Sequence, residues 1–230
     1  MSSTPRPWPR LADAWWVYAI AGIELVVFPF GLVTRIRCSR GRCGDSWPQH
    51  VLDLDSIGGL PRLLITGLFV GAGVLGWVAA RRSVGSVRNW WRAVAATGAA
   101  LALAKLVSVH SAAKAASPVL TLIVGVLLAA ALLGVLAVTG RRWGVDAARP
   151  VVVALAGYAG AALGLDAVTW AVVSLDHHSA TSAGATFVEE LGEGLTSLLV
   201  VVALRWHLPV GQTGAASDAG GYGGQAVRQQ

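Results

Sequence analysis

Charge is what this 230-residue sequence lacks most. Only 13% of its residues are Asp, Glu, Lys or Arg, about half the roughly 25% usual in soluble domains. That deficit excludes a water-soluble enzyme, a nucleic-acid-binding domain and a disordered regulator. Cysteine occurs twice, too few for a four-thiolate metal site, and the pair is spaced Cys-x4-Cys and not as the Cys-x-x-Cys of thiol oxidoreductases. There is no Gly-x-Ser-x-Gly elbow, no His-Glu-x-x-His and no 20–50-residue repeat, which removes the common hydrolase, zincin and solenoid signatures. No lipidation motif is visible at either end. Adjacent Glu189 and Glu190 are followed by Gly194 at the position where intramembrane prenyl endopeptidases carry Arg, so that family's pattern is also absent.

What the chain has in excess is apolar surface. Hydrophobic residues make up 55% of it, and the mean hydropathy is +0.62. Six apolar stretches have the length of a membrane-crossing helix, about 17–25 residues: 15–33, 63–80, 93–109, 119–139, 151–175 and 187–204. Turn or charge signals follow each, such as Arg81-Arg82 and Gly140-Arg141-Arg142. The expected fold is an all-α polytopic membrane bundle over residues 15–208, with an N-terminal segment 1–14, a loop 34–62 and a disordered tail 209–230. The first span is expected to be retained and not cleaved as a signal, because Glu24 interrupts it and Phe28-Pro29-Phe30 occupies its end. The second and fourth helices are expected to face lipid, and the other four to line a polar site. Gly67-x-x-x-Gly71 and Gly160-x-x-x-Gly164 are candidate close-packing pairs.

The net charge of +6 is spread between the spans, where it orients a membrane protein. With the N-terminus inside, the cytoplasmic connections hold eleven Lys and Arg and the outer ones six. Both termini are therefore expected in the cytoplasm. The pair Trp90-Trp91 beside Arg92, and Trp206 beside Arg205, have the pattern of interfacial anchors. The sixteen-to-two use of Arg over Lys fits a high-GC bacterial source and a plasma-membrane location.

The loop 34–62 holds Cys38 and Cys43, which oxidising surroundings would join across Gly41. The more informative residues are the charges inside spans, since each costs about 2.5–3.5 kcal/mol at a helix centre on insertion scales. Glu24 is nine residues from either end of its span, and Asp166 is nine residues, or about 14 Å, from Leu175. Glu193 lies about 9 Å into the sixth span and Lys105 about 6 Å into the third. At 100° per residue, Glu189, Glu190, Glu193 and Ser197 share one helix face. If the faces meet, four carboxyl groups (Glu24, Asp166, Glu190, Glu193) confront Lys105 alone. Protons, a bound cation or water must then neutralise or solvate them.

A second constellation, His110, His177, His178 and Glu189, has donor chemistry for a divalent metal at the outer face, although its spacing is not diagnostic. No other cofactor is indicated. The reading is a small proton- or cation-coupled carrier. Its alternatives are a membrane-embedded hydrolase or transferase, with or without a metal, and a non-catalytic subunit whose charges pair with a partner's helices. The expected partners are the lipid bilayer, a proton or small cation, and a membrane-protein partner or a second copy; nucleic acid is not one.

Overall fold

The computed structural model describes residues 14–40, 51, 52, 54, 58–107, 117–175 and 180–208. Six helices and no strands occur among them: α1 (Trp15–Ser39), α2 (Leu60–Arg81), α3 (Gly85–Val107), α4 (Pro118–Arg142), α5 (Ala148–Leu175) and α6 (Ala180–Trp206). The fold is an all-α helical bundle. Helices α1, α2, α4 and α5 are long and apolar enough to cross a membrane. The 23 residues of α3 and 27 of α6 reach about 35 and 40 Å at 1.5 Å per residue, so they match the others in length while carrying more polar side chains.

Helix α6 is the hub and packs on α1, α2 and α5. Its buried stripe runs Ser182, Thr186, Glu190, Glu193, Gly194, Ser197, Leu198, Val201, the spacing that places side chains on one helical face. Two hydroxyls on this stripe bond within their own helix. Thr186 donates to the Ser182 carbonyl at 3.2 Å and Ser197 to that of Gly194 at 2.7 Å, back-bonds that let a hydroxyl sit away from water.

The tightest pairing is α2 against α3, and small residues make it possible. A Cβ added at Gly98 would stand 2.7 Å from the Gly73 amide nitrogen, and one at Gly76 would stand 2.9 Å from that of Ala95. Only residues without a side chain let two backbones approach so closely. The pairs Gly67/Gly71 and Gly160/Gly164, expected to mark close packing, have open space where a Cβ would go. Their spacing is right, but they lie on faces that none of the described helices covers.

One end of the bundle is sealed. Trp90 and Trp91 meet edge to face with centroids 5.0 Å apart, and Trp90 Nε1 donates to the Leu136 carbonyl at 2.9 Å. Val151, Leu204 and Ala79 are fully enclosed around them. These tryptophans are therefore core residues and not the interfacial anchors expected from the adjacent arginine. The indole N–H that would have sought the headgroups is satisfied inside by a backbone carbonyl. On the same side of the bundle, Trp77 is half exposed with Arg81 at 5.4 Å over its ring, the geometry of an interfacial cation–π contact.

Two further expectations are corrected. The outward-facing helices are α1 and α4, while α2 is the most buried of the four apolar ones; its glycine-rich face rests on α3 and α6. The apolar stretches also understate the helices. Helix α1 continues through Pro29 to Ser39, and α6 begins at Ala180, seven residues before the predicted Phe187. Residues 1–13 and 209–230 lie outside the described residues.

Candidate functional site

The early start of α6 moves its acids inward. Glu193 is thirteen residues from either end of Ala180–Trp206, so it stands at the middle of the helix, about 20 Å from each end. Glu189 and Glu190, at headgroup depth had the helix begun at Phe187, are nine and ten residues in. Asp166 is likewise reached by an irregularity. Helix α5 is wound as a π turn over Ala161–Leu165 immediately before it, and such a turn inserts a residue and re-aims the side chains that follow. Asp166 and Thr169 are the buried positions of the segment beyond.

Lys105 Nζ of α3 lies 2.5 Å from Glu193 Oε2 and 3.6 Å from Glu190 Oε2 of α6. Tyr158 of α5 donates its hydroxyl to Glu193 Oε2 at 3.4 Å, and its ring is held edge-on by Phe69 of α2, with centroids 4.6 Å apart. A second cluster adjoins the first. It brings Glu189 of α6 together with Asp166 and Thr169 of α5 on the same wall. Asp166, Glu190 and Glu193 are each almost wholly buried.

Both clusters line one cavity of about 640 Å³ between α3, α4, α5 and α6. It runs from Pro118 and Val173, towards one end of the bundle, down to Thr97 and Leu155, above the sealed tryptophan layer. Its walls differ in character. Leu128, Ala129, Leu132 and Leu133 of α4 make one side apolar, while the opposite side carries the charges.

Of the five residues grouped from the sequence, Lys105, Asp166, Glu190 and Glu193 line this cavity and Glu24 does not, while Glu189, expected in the metal set, lines it as well. Sequence reasoning missed Tyr158, Arg35 and Arg62. Both arginines also line the cavity, because α1 and α2 extend beyond their apolar stretches and carry into the bundle two residues counted as loop. Arg62 is almost completely buried, and its charge acts on Lys105. The described residues lining the cavity thus hold four carboxyl groups and three cations. Arg35 and Arg62 add positive charge to a cluster that was expected to confront Lys105 alone.

Glu24 does not join the cavity wall. It is fully buried at the α1–α6 interface, with Oε1 3.2 Å from where a Cβ on Gly194 would sit. Neither of its oxygens meets a hydrogen-bond donor among the described residues. Cys38 is disulfide-bonded; Cys43 lies outside the described residues. So do His110, His177 and His178. Among the described residues no group of three His, Cys, Asp or Glu side chains has metal-site geometry, and Glu189 lies with Thr169 and Asp166 on the cavity wall.

A protein-family model described as "Domain of unknown function (DUF8692)" matches residues 17–208, a stretch that takes in the six described helices except the first two residues of α1. No curated protein and no solved structure matches the chain.

Proposed function

The chain belongs to this family of unknown function, and from the geometry of its cavity we propose that it is a small membrane carrier coupled to protons or a cation. The observation that carries this reading is the Lys105–Glu193 ion pair at mid-depth in a ligand-sized cavity, with the buried Trp90 and Trp91 further along α3. Ionisable side chains inside a membrane bundle are costly and mark ion pathways and proton relays. Here they converge from separate helices, on a cavity that ends near the centre of α6. Carriers place their coupling groups at this depth, where access can alternate between the two faces. In this reading all six helices cross a bacterial cell membrane, both termini are cytoplasmic, and the cavity opens to the outside. The π turn before Asp166 is the natural point for α5 to change its winding during the cycle.

The test is made in vesicles that contain the purified chain and enclose a pH-sensitive dye. A panel of quaternary ammonium, carboxylate and zwitterionic amino-acid solutes is added outside. The reading predicts that at least one class drives proton movement well above that of protein-free vesicles. Movement indistinguishable from protein-free vesicles for every class overturns it.

A further inference from the structure

We propose that the cavity takes a single-chain zwitterionic amphiphile from the bilayer, with its head on the charged wall and its chain in a gap between α4 and α5. This deepens the carrier reading and rests on it.

The gap follows from how α4 is held. One end of the helix is pinned. Trp90 Nε1 donates to the Leu136 carbonyl at 2.9 Å, and Gly140 lies against Ala148 and the Trp90 ring with no room for a Cβ. Leu136 and Gly140 are the buried residues of α4, and none before Leu136 is buried. The helix packs on the first part of α5, Ala148–Gly160, and on the π turn at Ala161–Leu165. At the π turn the approach is still close, because a Cβ on Gly125 would stand 2.9 Å from Leu163 Cδ2. Beyond it the two helices part. The segment Asp166–Leu175 packs on α6 and makes no comparable contact with α4.

The cavity lies in this fork. Gly125 and Leu128 of α4 line it from one prong, and Thr169 and Trp170 of α5 from the other. Leu128 is 66% exposed and Trp170 46% exposed, values that the wall of an enclosed cavity would not show. The fork is therefore open at the periphery of the bundle, and in a chain that spans a membrane it opens onto hydrocarbon. Water is a poor filling for such a slot, since leucine offers it no hydrogen-bond partner. A hydrocarbon chain entering from the bilayer gives up nothing. The cavity's volume of about 640 Å³ is within the roughly 300–1,000 Å³ of small-molecule sites, and the fork provides one slot between one pair of helices. Both features suit one chain and not two.

The head group follows from the opposite wall. Lys105 lies with Glu190 and Glu193, and Tyr158 and Thr169 add hydroxyls. A wall that presents an ammonium beside carboxylates has a partner for each charge of a zwitterion, which polar groups leaving water require.

The test is photo-crosslinking of the full-length chain in phosphatidylcholine vesicles that contain a trace of lysophosphatidylcholine carrying a diazirine. One probe has the diazirine at the end of the acyl chain and a second has it beside the glycerol. Peptide mass spectrometry locates the adducts. The chain-end probe is expected on Leu128 or Trp170, and the head-group probe on Tyr158 or Glu193. Excess unlabelled lysophosphatidylcholine should lower both by about fivefold or more through mass action. Adducts on Leu25 and Val26, exposed on α1, should not change, because bulk lipid reaches them. Cavity adducts that the excess does not displace, adducts confined to exposed faces, or the two probes in reversed positions overturn the proposal. The chain is unaltered throughout, so the folding of a variant does not enter. These outcomes are separable from failure of the carrier reading. Displaceable cavity adducts without solute-driven proton movement would leave the lipid site standing and remove the carrier. Proton movement through a cavity that neither probe labels would do the reverse.

Discussion

Replacing Lys105 with Met is expected to destabilise the folded chain by about 3–5 kcal/mol, the cost of stripping one partner from a buried ion pair. The size of the effect follows from what is left behind. Glu193 and Glu190 both face this ammonium, at 2.5 and 3.6 Å, and both are almost wholly buried. Without Lys105 they lose the ammonium that both share, while Glu193 keeps the Tyr158 hydroxyl. The intact pair is not itself a large source of stability, because each ion lost its hydration on burial. The cost comes from the uncompensated acid. Adding Glu193→Gln to Lys105→Met should therefore recover at least half of the loss, since the net charge of the cavity is then restored. Unfolding of the purified protein, followed by loss of helical signal in a mixed-detergent titration, measures both steps. Additive destabilisation in the double variant would show that the two side chains do not act on one another.

Glu193→Gln alone is expected to have the opposite profile, with the fold kept and the transport lost. Gln preserves the shape and can still accept from Tyr158 and Lys105. Lys105 also retains Glu190 as a counter-ion. The loss in stability should stay within about 2 kcal/mol, the scale of one charge-assisted hydrogen bond. Solute-driven proton movement should fall about 100-fold, near the upper end of coupling free energies of 1–3 kcal/mol between sites. The asymmetry between the two variants separates a working charge from a structural one. A pair that merely locks α3 to α6 would lose stability in both variants and flux in neither.

How far the sequence disclosed this arrangement depends on which property is asked of it. The helical bundle was legible because burying a backbone in lipid requires continuous helix, so unbroken apolar stretches report helices directly. The grouping of Lys105, Asp166, Glu190 and Glu193 was legible for a related reason. Charges in apolar stretches are rare enough that they must share whatever polar space exists. Hydropathy fails at helix ends, where a helix continues into polar sequence without losing its hydrogen bonds. That is why α6 was begun at Phe187 and not at Ala180, and why Arg35 and Arg62 were assigned to a loop. The π turn at Ala161–Leu165 left no signal in the side chains. The 100° rule that describes α6 correctly therefore misplaces what surrounds Asp166. Trp90 and Trp91 illustrate a further limit: an indole beside an arginine fits a headgroup and a core equally well. Only the carbonyl of Leu136, 46 residues away in the chain, decides between them.

One measurement tests the central geometry most directly. Leu101 lies on the cavity wall below Lys105, and Leu204 lies in the sealed half. Each is replaced by Cys, and a membrane-impermeant maleimide is applied to vesicles of either orientation. A water-reachable cavity closed at its base predicts that Leu101→Cys is labelled from one face of the membrane only and Leu204→Cys from neither. Labelling of Leu101→Cys from both faces, or from neither, would contradict it.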